Sequence, residues 1–385
     1  MTTQTTPHEG EMTVTFVETD EQQQLRGMLR DFLGSRATSE RVREVMQTDA
    51  GVDDAAWKEL GEYGLLGLTV PEAHGGAGST FVELAIVVEE AGKRLLPVPL
   101  LSSAVLGTTV LQRAGTSQQL QRWLPDVATG ATRLALAHLD ERGRLTADPG
   151  VRATRDGDGW RLTGTAGYVI DGHTADLLLT AAVTDDGLAL FAVPGDAAGL
   201  SREPLPALDL TRPLATLRFD GVHVDAEAAL TGGDPITALH DGIAAGVVAL
   251  ACEQVGGAQE VLSTTTAYAR ERIQFGRAIG SFQAVKHRLA EDLVKLEAAR
   301  SAALHAARAI AAGDRQEIAI AAPMAKALCS EVYETIAADG IQLAGGIGFT
   351  WEHDAHLYFK RAKATKLLLG DPHLHRRLLG DVLSL

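Results

Sequence analysis

The sequence predicts an α+β protein in three blocks: an N-terminal all-α domain, a middle antiparallel β-domain and a C-terminal four-helix bundle. Three observations carry this reading. Apolar residues recur at helical spacing from Glu18 to about Gly130, the period changes to two between about Ala131 and Leu230, and helical spacing returns after Asp234-Pro235 and holds to the end. With 385 residues, 45% of them hydrophobic, the chain is long enough to bury a large core divided among two or three domains.

Residues 1–15 lack periodicity and read as a loose tail. The α-domain follows over 16–130. Leu25, Met28, Leu29, Phe32 and Leu33 lie at helical spacing, and Trp57, Leu60, Tyr63 and Gly64 continue the pattern up to a glycine break. Pro71-Glu-Ala-His-Gly-Gly-Ala-Gly78 is a loop that leads into an apolar helix over 81–91, and 118–127 forms another helical piece. The β-domain is placed over 131–232. Short apolar runs at 160–164, 175–183, 188–194 and 215–220, punctuated by Asp-Gly and Pro, are the pattern of antiparallel strands. The bundle domain, 233–385, rests on three long alanine-rich segments at 243–270, 282–312 and 318–338. Each is apolar on one or more faces, as in helices that pack on one another and on other subunits.

A net charge of -15 and a pI near 5.2 argue against nucleic-acid binding, because no basic stripe is available to neutralise phosphates. Any bound anion must be met by local arginines. No apolar run reaches the roughly 18 residues of a membrane span, and the polar, acidic N-terminus carries no hydrophobic signal region, so the expected compartment is the cytoplasm. Cys252 and Cys329 each lie inside an alanine-rich helical pattern, which predicts two buried thiols in a reducing compartment. Glu352-His-Asp-x-His356 and His373-x-His375 contain metal-ligand residue types. The first set sits at a helix start and the second on a solvated helix, so no metal site is predicted.

The chemistry concentrates in two segments. Arg272-Ile-Gln-Phe-Gly-Arg-Ala-Ile-Gly-Ser-Phe-Gln283 sets a permanent cation, amides and two aromatic rings around a glycine, which suits a loop that grips a diphosphate and a flat heterocycle. Gln342-Leu-Ala-Gly-Gly-Ile-Gly-Phe-Thr350 offers bare backbone amides at Gly345, Gly346 and Gly348, a second wall for a phosphate. Taken alone, Arg272, Gln274 and Phe275 could also end a helix with Gly276 as its cap.

Together these segments resemble the flavin-binding signatures of the acyl-CoA dehydrogenase family. The resemblance extends to the Pro71–Gly78 loop and to the α, β, α plan over about residues 18–382. It implies FAD held between subunits. Arg272, Gln274, Phe275, Phe282 and Gln283 would meet the adenine and pyrophosphate half, with Gln342, Gly345 and Gly346 supplied from across a dimer interface. Tyr168, Val169 and Ile170 fall where the family sets an aromatic and a short strand against the isoalloxazine. An acyl-CoA or carrier-bound acyl substrate, electron-transfer flavoprotein or another acceptor, and a homodimer, tetramer or heterotetramer follow from the same resemblance.

The family's reaction needs a carboxylate to remove the α-proton of the thioester, hydrogen bonds to its carbonyl, and flavin to accept the β-hydride. Neither of the family's two glutamate positions is filled. Aligned on Arg361, one falls at Gly370 in Leu368-Leu-Gly-Asp-Pro372; aligned on Arg272, the other falls at Gly246 and Val247. Asp371 and Asp241 are the nearest carboxylates and the candidate bases, although Asp371 reads more readily as a cap ahead of Pro372. Leu139, in Leu136-Ala-His-Leu-Asp-Glu141, replaces the threonine of the family's Thr-Glu-Pro and cannot donate a hydroxyl hydrogen bond. The stretch Gly348–Arg361 resembles the actinobacterial acyl-CoA dehydrogenases of steroid and branched acyl-CoA degradation. Several of those are heterotetramers in which one subunit supplies the base and its partner has lost it. The expected function is therefore FAD-dependent α,β-dehydrogenation of an acyl-CoA, with a base-deficient partner subunit and a same-fold flavin oxidase, monooxygenase or specialised-metabolism desaturase as alternatives.

Overall fold

The computed structural model describes residues 18–384, so the predicted tail at 1–15 lies outside the described residues. Short polar side chains start the N-terminal helices. Thr19 caps α1 (Asp20–Arg36) and Thr80 caps α4 (Phe81–Lys93), each in a reciprocal capping box, with Gln22 and Glu83 respectively. Between them lie α2 (Ser39–Val45) and α3 (Asp54–Glu62); a buried π-helical stretch, Leu100–Gly107, α5 (Thr108–Ala114) and α6 (Ser117–Thr129) complete the block. The four-residue turns of α4 are apolar nearly all round because α4 is sandwiched between α1 and the C-terminal helices. Its two buried carboxylates, Glu89 and Glu90, are paired: Arg26 of α1 reaches both, and Arg300 reaches Glu89 from the bundle.

The middle block is one seven-stranded sheet, β1 (Leu134–Ala137), β2 (Val151–Asp156), β3 (Gly159–Ile170), β4 (Leu177–Thr184), β5 (Gly187–Pro194), β6 (Leu200–Pro204) and β7 (Leu214–Val224). The order is β1-β4-β2-β3-β7-β6, with β5 also paired to β4. Most pairs are antiparallel as expected, but β1 runs parallel to β4, in register Leu134 with Leu177, and β2 meets β4 in parallel at Arg152 and Val183. That difference follows from connectivity: β1 enters the sheet straight from α6 and the long excursion to β4 returns it in the same direction. The run 134–137 is buried at every position, so it lacks the alternation that marks a strand in sequence.

Three long helices, α7 (Pro235–Glu271), α8 (Gln283–Ala312) and α9 (Arg315–Ala344), pack together, and the shorter α10 (Ala355–Leu367) and α11 (Pro372–Val382) lie along α9 in the place of a single fourth helix. Asp234 caps α7 and Pro235 opens it. By composition α7 is apolar enough to cross a membrane, with a window of mean hydropathy 1.5, yet here it is the core helix against which α4, α8 and α9 pack. Glycines set its distance from α4. A Cβ on Gly256 would lie 2.0 Å from the Glu89 carbonyl oxygen, and one on Gly92 2.5 Å from that of Glu253, so the two backbones touch. Cys252 and Cys329 are free, buried thiols, and burial pushes Cys329 up to about 12.

Candidate functional site

The Arg272–Gln283 segment is a miniature hairpin that projects from the end of α7. Ile273–Gln274 (β8) pairs with Arg277–Ala278 (β9), and Phe275 and Gly276, at φ of 52° and 79°, form the turn. The helix stops at Glu271, with the Arg272 amide bonded to the Tyr268 carbonyl, so Gly276 serves the hairpin and not a helix cap. Phe275 is 92% exposed and meets Phe282 edge to face, while the Arg277 guanidinium lies 4.1 Å over the Phe282 ring. Arg272, Gln274 and Gln283 are all exposed. Gln342 is exposed in the last turn of α9, and Gly345, at φ 68°, breaks that helix into a short 3-10 turn, Gly345–Phe349. A Cβ on Gly345 or Gly346 would meet nothing within 4 Å, so the backbone there is open. The two segments were expected to come from different subunits. Within one chain they already share an end of the bundle, where the Tyr268 hydroxyl donates to the Ala344 carbonyl at 3.4 Å.

Tyr168 lies elsewhere. A register shift between Ala166 and Val169 bulges β3, and with φ of 52° Tyr168 turns outward over Gly143, where a Cβ would sit 2.6 Å from its ring. There it borders a cavity of about 770 Å³ between the β-domain and the bundle. Val169 and Ile170 are buried in the hydrophobic cores and do not line that cavity. The other walls are the 138–145 loop, the 205–214 connection, Ile243 near the start of α7, and Leu367, Leu368, Leu369 and Gly370. At a rise of about 1.5 Å per residue, the run of α7 from Ile243 to Glu271 spans roughly 42 Å. The cavity and the hairpin are thus at opposite ends of α7, farther apart than one extended FAD reaches.

A buried ion network fixes the cavity wall. Arg361 donates to Asp209 at 2.5 Å, to Glu253 at 2.9 Å and to the Thr211 carbonyl at 3.0 Å, and Arg212 donates to Glu253. Burial pushes the Glu253 carboxyl up, but Arg212 and Arg361 outweigh it and hold the group below the usual carboxylate range. The neighbouring Asp171, bonded to the Ser102 hydroxyl at 2.5 Å, has no such direct pair, and burial raises it. Glu253, inside the apolar run of α7, is the anchor of this network.

Below the cavity floor, Lys326 is buried and donates to the Ser330 hydroxyl and to the carbonyls of Thr365, Lys366 and Gly370, at 3.0 to 3.1 Å. Burial lowers its pKa to about 7. His375 holds the adjacent Leu369 carbonyl at 2.9 Å. These two side chains pin a loop that contains two positive φ angles, 57° at Leu369 and 100° at Gly370. Sequence reasoning missed Lys326, although a lone lysine inside the apolar run Ala325–Leu328 is itself a signal of a buried, partnered cation.

The loop also shows why no glutamate stands here. A Cβ on Gly370 would fall 2.8 Å from Leu374 Cδ2 and 2.9 Å from His375 Nε2, and a Cβ on Gly246 would fall 2.5 Å from Leu106 Cδ2 and 3.0 Å from Leu369 Cδ1. The two positions flank Leu369, and both are filled. Asp371 caps α11 by accepting the Leu374 amide at 2.7 Å, which holds its carboxyl low. Asp241 is paired with Arg113 and Arg315, each at 3.2 Å, and does not line the cavity. The one carboxylate in the described lining is Asp209, already held by Arg361. Among the described residues no three potential ligands converge on a metal position.

FAD fits one half of this arrangement. The hairpin and the Gly345-Gly346 turn offer an exposed guanidinium, amides, aromatic faces and open backbone N–H groups to a nucleotide. The ring half fits poorly: Leu139 brings no hydroxyl to the cavity, and the Thr365 hydroxyl is spent on the Arg361 carbonyl at 2.8 Å.

Residues 19–131 match the family profile described as Acyl-CoA dehydrogenase, N-terminal domain, and residues 237–384 match Acyl-CoA dehydrogenase, C-terminal domain. The chain is 35% identical over 366 residues to acyl-CoA dehydrogenase IpdE2 of Mycobacterium tuberculosis, covering 94% of this chain and 98% of the relative. Among solved structures it resembles a variant of the Tcur3481-Tcur3483 steroid ACAD, at 35% identity and TM-score 0.85 over 95% of this chain and 98% of the other. It also resembles the ChsE4-ChsE5 complex from Mycobacterium tuberculosis, at 31% identity and TM-score 0.88 over 96% and 99%.

Proposed function

We propose that this chain, which belongs to the acyl-CoA dehydrogenase family, works in the FAD-dependent α,β-dehydrogenation of an acyl-CoA thioester and does so across an interface with a second chain. The observation that carries the second clause is the separation of its two cofactor-facing surfaces by the length of α7. A FAD gripped by the hairpin must present its flavin ring to another protomer. In that arrangement Arg272 neutralises the pyrophosphate, Phe275 and Phe282 cover the adenine, and Gln342, Gly345 and Gly346 present their polar groups to the same half. Bound FAD supplies the acceptor for the β-hydride. The chain's own contribution at the cavity is to orient the acyl group between Tyr168, the 205–214 connection and the Leu367–Gly370 loop, and to exclude water.

The closed positions at Gly370 and Gly246 favour a second reading of the same reaction, in which a sister chain brings the carboxylate and this chain completes its nucleotide site. The steroid ACAD and the ChsE4-ChsE5 complex named above make a bulky, steroid-like acyl group the first substrate class to try, with electron-transfer flavoprotein as the acceptor.

The test is to purify the chain alone and with a sister dehydrogenase, record the flavin spectrum, and follow anaerobic bleaching with straight, branched and steroid acyl-CoAs. Bleaching by the chain alone establishes self-sufficiency; bleaching only after the sister is added establishes the second reading. Arg272→Ala is expected to lower flavin occupancy severalfold in either case, and unchanged occupancy overturns the nucleotide assignment.

A further inference from the structure

Two walls of the cavity are fixed in different ways. The 205–214 connection is held by the Arg361 guanidinium, through Asp209 and the Thr211 carbonyl, and a guanidinium stays charged at any pH the protein meets. The Leu368–Gly370 loop is instead tied to the amine of Lys326, which can lose its proton. We infer that Lys326 is a positioning residue for the acyl group, acting through Leu368, Leu369 and Gly370, and that the proton on its amine latches this wall in place. The inference rests on the reading that the acyl group occupies this cavity.

The hydrogen-bond count carries it. The carbonyls of Thr365 and Lys366 end α10, and that of Gly370 lies in the loop beyond. Among the described residues no backbone amide reaches any of the three, and Lys326 Nζ donates to each at 3.0 to 3.1 Å. A carbonyl can only accept. The ammonium has three N–H groups, one for each carbonyl, and its fourth neighbour, the Ser330 hydroxyl at 3.1 Å, is also bonded to Gln254. The neutral amine has two N–H groups for the three carbonyls and a lone pair that none of them can use, so one carbonyl loses its donor. Lys326 therefore caps the C-terminus of α10 and tethers Gly370 at once, in a loop that already carries positive φ at Leu369 and Gly370.

Burial lowers Lys326 to about 7; Cys329 and Asp371 oppose the shift and Lys366 adds to it. These three and His375 are the charged and titratable groups that face it among the described residues. Cys329 lies on the same α9, Lys366 on α10 is itself paired with Glu334, and Asp371 and His375 belong to the start of α11. The helix α7 presents the uncharged Gln254, through Ser330, and α8 the Ala299 carbonyl, through Cys329. Burial also holds His375 below its ordinary value, so it is neutral at pH 7 and above and its bond to the Leu369 carbonyl does not change there. A base lowered from its ordinary 10.5 costs stability while it is charged. That cost is full below about 7 and fades as pH rises toward 10.5, so the fold as a whole gains stability over the range in which the loop is released. Loosening confined to the loop is not what general loss of packing gives.

Hydrogen exchange read by mass spectrometry, on the chain in the assembly in which it purifies, tests the latch directly. The Leu368 and Gly370 amides, which bond the Ala364 and Leu367 carbonyls, should lose roughly threefold or more in protection between pH 6 and pH 8.5 after correction for intrinsic exchange, while the amides of α7 keep theirs. Lys326→Met should show the low protection at both pH values, and His375→Gln should keep the transition. The second readout is the KM for a steroid acyl-CoA in the assembly with a sister chain. Lys326→Met should raise it about fivefold at pH 6 and less than twofold at pH 8.5, where the wild-type amine is neutral too. Loop protection independent of pH, a transition kept in Lys326→Met, or a KM ratio equal at both pH values overturns the proposal. Should Lys326→Met fail to fold, the wild-type exchange and the His375→Gln transition still decide it. An assembly that never bleaches removes the dehydrogenase reading and the acyl role of Lys326 with it, whereas the exchange data judge the latch independently.

Discussion

Asp371 and Asp292 carry the same carboxyl group and are driven in opposite directions by their neighbours. The Leu374 amide holds Asp371 low at the start of α11, so Asp371→Ala should remove about 1 kcal/mol of stability, as the loss of a cap does, and leave flavin bleaching unaltered. Lost turnover with intact stability would restore Asp371 as a base. Asp292 is buried between α8 and α9; burial and then the facing Asp339 raise it to about 6, with Lys295 at 3.5 Å and Arg288 on Asp339 the cations nearby. As pH rises from about 4 toward 6, the unfolded chain releases this proton and the folded one keeps it, so the stability it confers is full at low pH and lost through the folded pKa. Asp292→Asn should therefore stabilise the protein by on the order of 1–2 kcal/mol at pH 8, with the gain shrinking toward pH 4.5 in denaturant titrations. A gain independent of pH would mean that Asp292 is not raised by burial and Asp339.

At the scale of the element, the Leu368–Gly370 loop and the hairpin make a contrast in what sequence reveals. The hairpin's chemistry is local, which is why the sequence singles it out as the proposed nucleotide grip: Arg272, Gln274, Phe275 and Phe282 lie close together along the chain. Its shape was not legible, since Phe275 at positive φ is a turn residue that composition does not announce. The loop was legible only as an absence at Gly370. Its support comes from His375, just beyond it, and from Lys326 on α9, a residue too distant along the chain for any local pattern to reveal. Val169 and Ile170, expected against the isoalloxazine, instead bury their side chains on opposite faces of β3, each in its own hydrophobic core. Restoring a glutamate is a direct test of the loop. Gly370→Glu should destabilise the fold by roughly 1–3 kcal/mol, because Leu374 and His375 occupy the space and φ is 100°, and it should not make the lone chain active. Full stability with new activity would show that the loop yields.

For the whole molecule, the α, β, α plan was legible because long periodic segments dominate it; the parallel β1–β4 pair was not, because it depends on a connection of some forty residues. What the single chain leaves uncovered is as informative. Phe275, Val294 and Phe349 are 92%, 71% and 79% exposed, and each such side chain gains ~1.5–3 kcal/mol when fully buried. Val294→Asp on α8 should accordingly weaken self-association or pairing with a sister chain by tenfold or more in light scattering and lower flavin content with it. Unchanged mass with unchanged flavin would place the interface elsewhere.

The distance between the two ends of α7 has a last consequence. On the proposed reading, in which each flavin takes one surface from each of two chains, the flavin content of a purified preparation reports pairing and not folding, and it obeys mass action. Dilution should release the flavin, read as a rise in flavin fluorescence, while the circular dichroism stays constant, and a fully helical sample that has lost its flavin on gel filtration is a chain without its other half.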